Sequence, residues 1–146
     1  MQIIYTCLIS ILAFMNMDSQ QSNSKLTINL NGLRNDKGNV MIGVYDKADG
    51  FPDDYQKIYL QKIYPASDVI SKPIIIEVPR NKKYAVAIIH DENKNNKLDT
   101  NFLGMPTEGY GFSNNKTGVF GAPSFKDCCF DIGDVSQKSI HIKLKY

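Results

Sequence analysis

The chain has 146 residues, of which 42% are hydrophobic, and it carries 17 basic and 15 acidic side chains. This length suits one domain with a core of its own, and the hydrophobic fraction argues against wholesale disorder. The near balance of charge and the absence of any run of five like charges argue against a nucleic-acid-binding surface and against a polybasic membrane patch.

The N-terminal segment differs in composition from the rest of the chain. Residues 3–14 are almost entirely apolar, residues 16–24 are polar, and the first basic side chain is Lys25. A membrane-spanning helix needs about 20 apolar residues, whereas a shorter run is typical of a secretory signal peptide. We therefore expect residues 1–22 to be a signal peptide and polar spacer, although no basic residue precedes the apolar run. A core strand and an uncleaved anchor are the alternatives.

If this segment directs export, the mature domain, residues 25–146, is secreted or lies in the periplasm or cell envelope. It is not expected to insert into the membrane, nor to bind nucleic acid. Cys7 is removed with the signal peptide. Cys128 and Cys129 are adjacent, so their Cα atoms are too close for an ordinary disulfide, and we expect both to pack as small apolar residues.

Beyond Lys25, alternation of apolar and polar residues predicts half-buried β-strands. Such alternation covers residues 26–30, 40–44 and 140–144. Two stretches that are apolar on both faces, residues 74–78 and 84–89, are predicted to be central strands. Weaker patterns predict strands at 58–60, 63–64 and 128–132, and a short helical turn within 55–60.

The connections contain residues typical of turns. Asn35–Gly38 has the composition of a hairpin turn, and Pro79–Lys82 turns the chain into the next strand. About seven short strands at this spacing predict an all-β fold, a single antiparallel Greek-key sandwich. Tyr84 occupies the place where sandwich domains often have a tyrosine corner, with an ordinary strand tyrosine as the alternative.

The segment from Asn95 to Ser124 is longer than most connections in a compact domain. It contains five of the ten glycines and four aromatic residues, Phe102, Tyr110, Phe112 and Phe120. Because disordered loops are poor in aromatics, we expect an ordered, irregular loop packed across one end or edge of the sandwich. Its rings either pin the loop to the sheet or bind a sugar or peptide, and the candidates for binding are Phe102, Tyr110 and Phe112.

Side chains with oxygen atoms alternate where the predicted strand at 84–89 ends. Their spacing matches positions 1, 3, 5 and 9 of a calcium loop, and Ca²⁺ takes six to eight oxygen ligands. Asn96 replaces the usual glycine at position 6, and Phe102 replaces the glutamate at position 12. The candidate ligands are Asp91, Asn93, Asn95, Lys97 through its backbone carbonyl, Asp99 and Glu108. The alternative is that the Asn and Asp side chains close turns without a metal.

A hydrolytic site is the competing interpretation of this region. His90 with Glu92 or Glu108, and Ser113 further along, supplies groups for acid–base or nucleophilic chemistry. However, no nucleophile elbow surrounds Ser113 and no zinc-type histidine pair occurs. We therefore predict no catalytic residue and expect His90 to end a strand and hydrogen-bond to a loop.

The central motif resembles that of a known family. The run YAVAIIHDENKNNKLD from Tyr84 to Asp99, the continuation GMPTEGYGFSNN at 104–115 and GAPSF at 121–125 are similar to the hallmark of the DUF2141 family. The resemblance covers roughly residues 26–146 and implies an exported, mostly bacterial protein with a transthyretin-like or immunoglobulin-like sandwich. It implies no established activity. The family usually has Asn-Gly where this chain has Asn95–Asn96, and a small residue at the position of Cys128.

The sequence thus predicts an exported, non-enzymatic β-sandwich that binds Ca²⁺ through the Asp91–Asp99 loop and engages an extracellular protein or glycan. Two alternatives remain open. One is the hydrolase based on His90, and the other is a purely structural envelope protein with no ligand.

Overall fold

The structure is a computed structural model that describes residues 22–118 and 121–146. The predicted signal peptide lies outside the described residues except for Ser22, and Cys7 and Phe120 also lie outside them. The described residues form eight strands. They are β1 Asn23–Asn31, β2 Asn39–Tyr45, β3 Leu60–Pro65, β4 Ile74–Pro79, β5 Lys83–Asp91, β6 Gly109–Phe112, β7 Phe130–Asp131 and β8 Gln137–Lys143.

Short helices connect some of these strands. They are α1 Ala66–Val69, α2 Phe125–Cys128 and two 3-10 turns, Tyr55–Lys57 and Ser113–Asn115. The first 3-10 turn confirms the predicted helical turn within residues 55–60. None of the helices in the described part of the chain is long and apolar enough to cross a membrane.

The strands form two sheets, as expected for an all-β sandwich. The first sheet has the order β4-β1-β8, in which β1 is antiparallel to β4 and parallel to β8. The prediction of a wholly antiparallel sandwich is therefore wrong for the pair of β1 and β8. The second has the order β3-β2-β5-β6, all antiparallel, with β7 paired to the first residues of β5. The inward-facing residues of both sheets form one aliphatic core, because side chains alternate between the two faces of a strand. Its fully buried members include Leu26, Ile28, Val40, Ile42, Val44, Val78, Val86 and Ile142.

Tyr84 forms the predicted tyrosine corner. Its ring is fully buried at the start of β5, and its hydroxyl donates a hydrogen bond to the carbonyl of Pro79 at 3.1 Å. The bond joins β5 to the last residue of β4, across the connection at which the chain passes from one sheet to the other. Burial raises the pKa of this phenol well above its usual range.

The structure corrects two predictions about the exposure of strands. β2 was predicted to have one wet face, but Met41 and Tyr45 are buried because the loop after β2 covers that face. Tyr45 donates a hydrogen bond to the Pro52 carbonyl at 2.8 Å and packs edge-on against Phe51. Conversely, β4 was predicted to be central but is an edge strand, with Ile75 57% exposed. Isoleucine suits any pleated surface, so an apolar run does not by itself place a strand centrally.

Three further expectations need correction. Asn35–Gly38 does not close a hairpin, because β1 and β2 belong to different sheets and the turn carries the chain between them. The predicted strand at 128–132 shrinks to β7, and Cys128 ends a helical turn capped by the Ser124 side chain. The segment Asn95–Ser124 is not wholly irregular, because it contains β6, the edge strand of the second sheet.

Both cysteines of the described residues are free thiols. Cys128 is fully buried against the core, and burial raises its pKa to about 11. Cys129 is partly exposed, and its thiol contacts the Lys126 carbonyl at 3.5 Å. This agrees with the expected packing role of Cys128.

Candidate functional site

The Asp91–Asp99 loop leaves the C-terminal end of β5 and is closed by the Asp91 carboxylate. Asp91 is fully buried, and its two oxygens accept hydrogen bonds from the backbone amides of Asn95 at 3.0 Å and Asn96 at 2.8 Å. Lys94 and Asn96 have positive φ angles of 63° and 62°. The positive φ at position 6 of the predicted calcium loop is therefore present, and asparagine tolerates it better than most residues.

Two amide side chains of the loop converge on the carboxylate of Asp99. The Nδ2 atom of Asn93 lies 2.6 Å from Oδ2 of Asp99, and Nδ2 of Asn95 lies 2.9 Å from both Asp99 oxygens. These hydrogen bonds lower the pKa of Asp99, with a smaller contribution from Lys97, whose ammonium lies 3.8 Å away. The Oδ1 atoms of Asn93 and Asn95 accept hydrogen bonds from the backbone amides two residues on.

Glu108 returns to this loop from the start of β6. Its side chain is almost fully buried, and its two oxygens accept hydrogen bonds from the backbone amides of Glu92 at 2.9 Å and Asp99 at 3.1 Å. One carboxylate thus ties together the beginning and the end of the loop. The sequence predicted that Glu108 would return to the loop, and the structure brings it there through backbone amides.

The donor set of the loop limits how a cation would be held. Among the described residues, no three His, Cys, Asp or Glu side chains form a metal-ligand group. A cation here would therefore rely on amide and backbone carbonyl oxygens, including that of Lys97, beside the carboxylates of Asp91 and Asp99. A carboxylate oxygen that accepts one N–H keeps a further acceptor site, so the observed hydrogen bonds do not exhaust these groups. Phe102, at position 12, is 94% exposed and offers no ligand.

The loop tip that follows is apolar and exposed. Phe102, Leu103 and Met105 are 94%, 72% and 60% exposed. Asn101 orders the tip, because its Oδ1 accepts hydrogen bonds from the amides of Leu103 at 2.9 Å and Met105 at 3.0 Å. Of these three tip residues, only Phe102 was predicted from the sequence to bind a ligand. The short apolar run between Asn101 and Pro106, within a loop, was the signal for the other two.

Tyr110 and Phe112 lie on the same face of β6, away from this tip. Their ring centroids are 6.0 Å apart, and Phe112 also packs against Phe51 at 6.0 Å. Both side chains are partly buried, so they pin the edge of the sheet and still present ring surface. Phe102 is not part of this ring cluster.

His90 is fully buried, and both of its ring nitrogens have partners. Nε2 lies 2.8 Å from the Lys37 carbonyl, which can only accept, so Nε2 donates. Nδ1 lies 2.7 Å from the hydroxyl of Tyr146, which donates to it in the neutral tautomer. The predicted hydrogen bond from His90 to a loop is present, and it joins β5 to the β1–β2 connection and to the last residue of the chain.

The other proposed hydrolytic groups serve different contacts. Glu92 forms an ion pair with Arg34 and accepts a hydrogen bond from Asn35, and these contacts lower its pKa to about 2. Ser113 is buried, donates to the Cys128 carbonyl at 2.6 Å and accepts from the Val86 amide at 2.9 Å. The structure therefore does not bring Ser113 into hydrogen-bonding contact with His90.

Comparison with known proteins agrees with the resemblance seen in the sequence. No curated protein and no solved structure matches the chain. A family model described as "Uncharacterized protein conserved in bacteria (DUF2141)" matches residues 28–141, which is most of the chain. On this match, the chain belongs to the DUF2141 family.

Proposed function

We propose that this protein is an exported, non-enzymatic β-sandwich that binds Ca²⁺ through the Asp91–Asp99 loop and engages a protein or glycan of the cell envelope. The observation that carries the calcium proposal is the position of the Asn93 and Asn95 carboxamides beside the Asp99 carboxylate, with their Nδ2 atoms 2.6–2.9 Å from its oxygens. Ca²⁺ binds oxygen and not the NH₂ group, so each carboxamide would rotate to turn toward Asp99 its Oδ1 atom, which accepts a hydrogen bond from a backbone amide.

The chemistry of the loop favours calcium over the transition metals. Carboxylate, amide and backbone oxygens are hard ligands, and Ca²⁺ accepts irregular sets of them. The nearby ammonium of Lys97 and the small number of carboxylates predict weak affinity, with a Kd of about 10⁻⁴ to 10⁻³ M.

Calorimetric titration of the purified protein with Ca²⁺ tests this proposal. Asp99→Asn removes the charge on which the amides converge, and we expect it to weaken binding by about tenfold or more. Asp36→Asn is the matched control, because Asp36 is exposed in the β1–β2 connection and the change removes the same charge. No heat and no shift in melting temperature at several millimolar Ca²⁺, or equal behaviour of the two variants, would remove the calcium proposal and favour the purely structural alternative.

The apolar tip of Phe102, Leu103 and Met105 supports the binding role. Exposing three large apolar side chains on an ordered loop is costly in water, and such patches often mark contact surfaces. The hydrolase alternative has weaker support, because the 4.0 Å between His90 Nδ1 and Glu92 Oε1 exceeds hydrogen-bond reach, and His90, Glu92 and Glu108 each have structural partners. Screening the protein against ester and glycoside substrates, with His90→Gln as control, tests that alternative.

We also propose a specific fold type for the sandwich and export of the protein from the cytoplasm. A Greek-key sandwich of the immunoglobulin-like or transthyretin-like kind is supported by the tyrosine corner of Tyr84 and by the passage of the chain between sheets after β1, β3 and β4. Export rests on the apolar composition of residues 3–14. Mass spectrometry of the protein from the envelope and culture fractions tests it, and an intact N-terminus in the cytoplasmic fraction alone would contradict it.

A further inference from the structure

A groove of about 280 Å³ lies where β6 meets the C-terminal end of β8. Tyr110 and Phe112 are its aromatic lining. They face outward because the glycines that alternate with them face the core: a Cβ on Gly111 would lie 2.9 Å from the Ile142 side chain. The volume is near the lower end of the range for small-molecule sites, about 300–1,000 Å³, and suits a short segment of a longer ligand.

Three lysines line the same groove: Lys116, Lys143 and Lys145. All three are exposed, and none forms an ion pair with a carboxylate of the described residues. The whole chain has a net charge of only +2. Basic and acidic side chains therefore nearly cancel over the chain, whereas positive charge predominates in this groove. Unpaired charges of one sign in a concave site attract a ligand of the opposite sign.

The wall of the groove is held in place by hydrogen bonds. The side chain of Asn115 accepts from the Lys143 amide at 2.8 Å and donates to the His141 carbonyl at 3.2 Å. The backbone of Tyr110 exchanges two hydrogen bonds with that of Lys145, at 2.9 and 2.8 Å. The lysines and the aromatic rings therefore project from a connected framework, and less conformational entropy is lost when a ligand binds.

The hydrogen bonds between the Tyr110 and Lys145 backbones argue against one class of ligand, a peptide that binds as an added strand. A peptide that binds by adding a strand needs free N–H and C=O groups at the sheet edge, but those of Tyr110 are already bonded to Lys145. The groove instead offers ring faces and ammonium groups. Aromatic faces pack against the C–H face of a sugar ring, and ammonium groups pair with carboxylates.

We infer that this groove binds an acidic glycan, in which hexuronate rings stack on Tyr110 and Phe112 while their carboxylates pair with the lysines. This names the ligand class for the binding role proposed above and rests on that role, but it uses no residue of the Asp91–Asp99 loop. Glycan binding measured in the presence of a calcium chelator therefore separates the two proposals. The groove can bind the glycan even if the loop does not bind Ca²⁺, and the loop can bind Ca²⁺ even if the groove does not bind the glycan.

Calorimetric titration of the full-length protein with tetragalacturonate, in the presence of a chelator, tests the inference. We expect a Kd of about 1 mM or tighter. The fully methyl-esterified tetramer, which has the same rings without the charge, is expected to bind at least tenfold more weakly. Tetraglutamate, which has the charge without the rings, is expected to do the same.

Variants locate the binding. Lys143→Gln with Lys145→Gln is expected to weaken binding about fivefold to tenfold, and Tyr110→Ser by a similar factor. The control is Lys62→Gln with Lys83→Gln, two exposed lysines elsewhere on the sandwich, which should leave binding unchanged. The inference is overturned by no heat at 10 mM tetragalacturonate (about tenfold above the expected Kd), by equal binding of the ester or of tetraglutamate, or by groove variants that bind like the control.

Discussion

The carboxylate of Glu108 holds the backbone of Asp99 in place, through a hydrogen bond of 3.1 Å from the Asp99 amide. The other oxygen of Glu108 accepts from the Glu92 amide at 2.9 Å. The Glu108 side chain thereby closes a loop of seventeen residues, from Glu92 to Glu108. One carboxylate thus fixes both ends of the candidate calcium loop.

Glu108→Gln is expected to lower the free energy of unfolding by about 2 kcal/mol. The amide keeps one acceptor but turns its NH₂ group toward a backbone N–H, so one buried donor loses its partner. Urea denaturation measures the change, and faster hydrogen exchange at the Glu92 and Asp99 amides locates it. Glu77→Gln on the exposed face of β4 is the control. A variant as stable as this control would show that water replaces the bond without cost.

The Arg34–Glu92 pair predicts a specific dependence of stability on pH. The hydrogen bond from Arg34 lowers the pKa of Glu92 from 4.5 to about 2. A carboxyl group whose pKa is lower in the folded state stabilises the protein above its unfolded pKa and ceases to do so as pH falls through its folded pKa. The stability difference between the wild type and Glu92→Gln should therefore be largest above pH 5, at about 1 kcal/mol, and should vanish near pH 2.

Urea denaturation at closely spaced pH values between 2 and 7 measures this difference. Glu77→Gln again provides the comparison for removing an exposed carboxylate. A constant difference between wild type and Glu92→Gln across the whole range would mean that the ion pair contributes nothing to folding.

The sequence predicted the regular part of the fold because that information is local. Alternating residues such as Leu26 and Ile28 select the buried face of a strand, and both are fully buried. Sheet membership is not local. Asn35–Gly38 has hairpin composition, yet it connects two sheets, because the pairing of β1 with β8, more than 100 residues away, decides where β1 lies.

The same contrast between local and long-range information applies to the candidate site. The spacing of Asp91, Asn93, Asn95 and Asp99 predicted a tight turn, and their hydrogen bonds close one. Apart from Glu108, the partners that come from elsewhere in the chain were not visible in the sequence. No local pattern indicates that Tyr146 reaches His90, or that Lys116 and Lys145 line one groove with Tyr110.

Thiol reactivity is expected to distinguish the two adjacent cysteines. Burial raises the pKa of Cys128 to about 11, so almost no thiolate forms near neutral pH, whereas Cys129 is partly exposed. In a Cys7→Ser background, iodoacetamide should label Cys129 in the folded protein and Cys128 only after denaturation. Mass spectrometry of tryptic peptides from Cys128→Ser and Cys129→Ser variants assigns the labels. Equal labelling rates in the folded protein would contradict the burial of Cys128.

Substitution within the apolar tip is expected to leave stability almost unchanged. Phe102 is 94% exposed, so Phe102→Ser removes little buried surface and should change the free energy of unfolding by no more than about 0.5 kcal/mol. Phe112→Ser is the contrast, because that ring packs against Phe51 and Tyr110, and it should cost about 2 kcal/mol or more. Thermal denaturation of both variants gives the comparison. A large loss of stability for Phe102→Ser would mean that the tip packs against the domain and is not available to a partner.

The tyrosine corner gives the most direct test of how the two sheets are joined. The Tyr84 hydroxyl donates to the Pro79 carbonyl at 3.1 Å from a fully buried ring. Tyr84→Phe keeps the ring and leaves that carbonyl without its partner, so it should lower the free energy of unfolding by about 1–2 kcal/mol. Tyr59→Phe removes the same group from a ring that is 42% exposed and should change it by less than about 0.5 kcal/mol. Urea denaturation of the two variants decides the matter, because equal losses would show that the corner bond adds nothing to the packing of the ring.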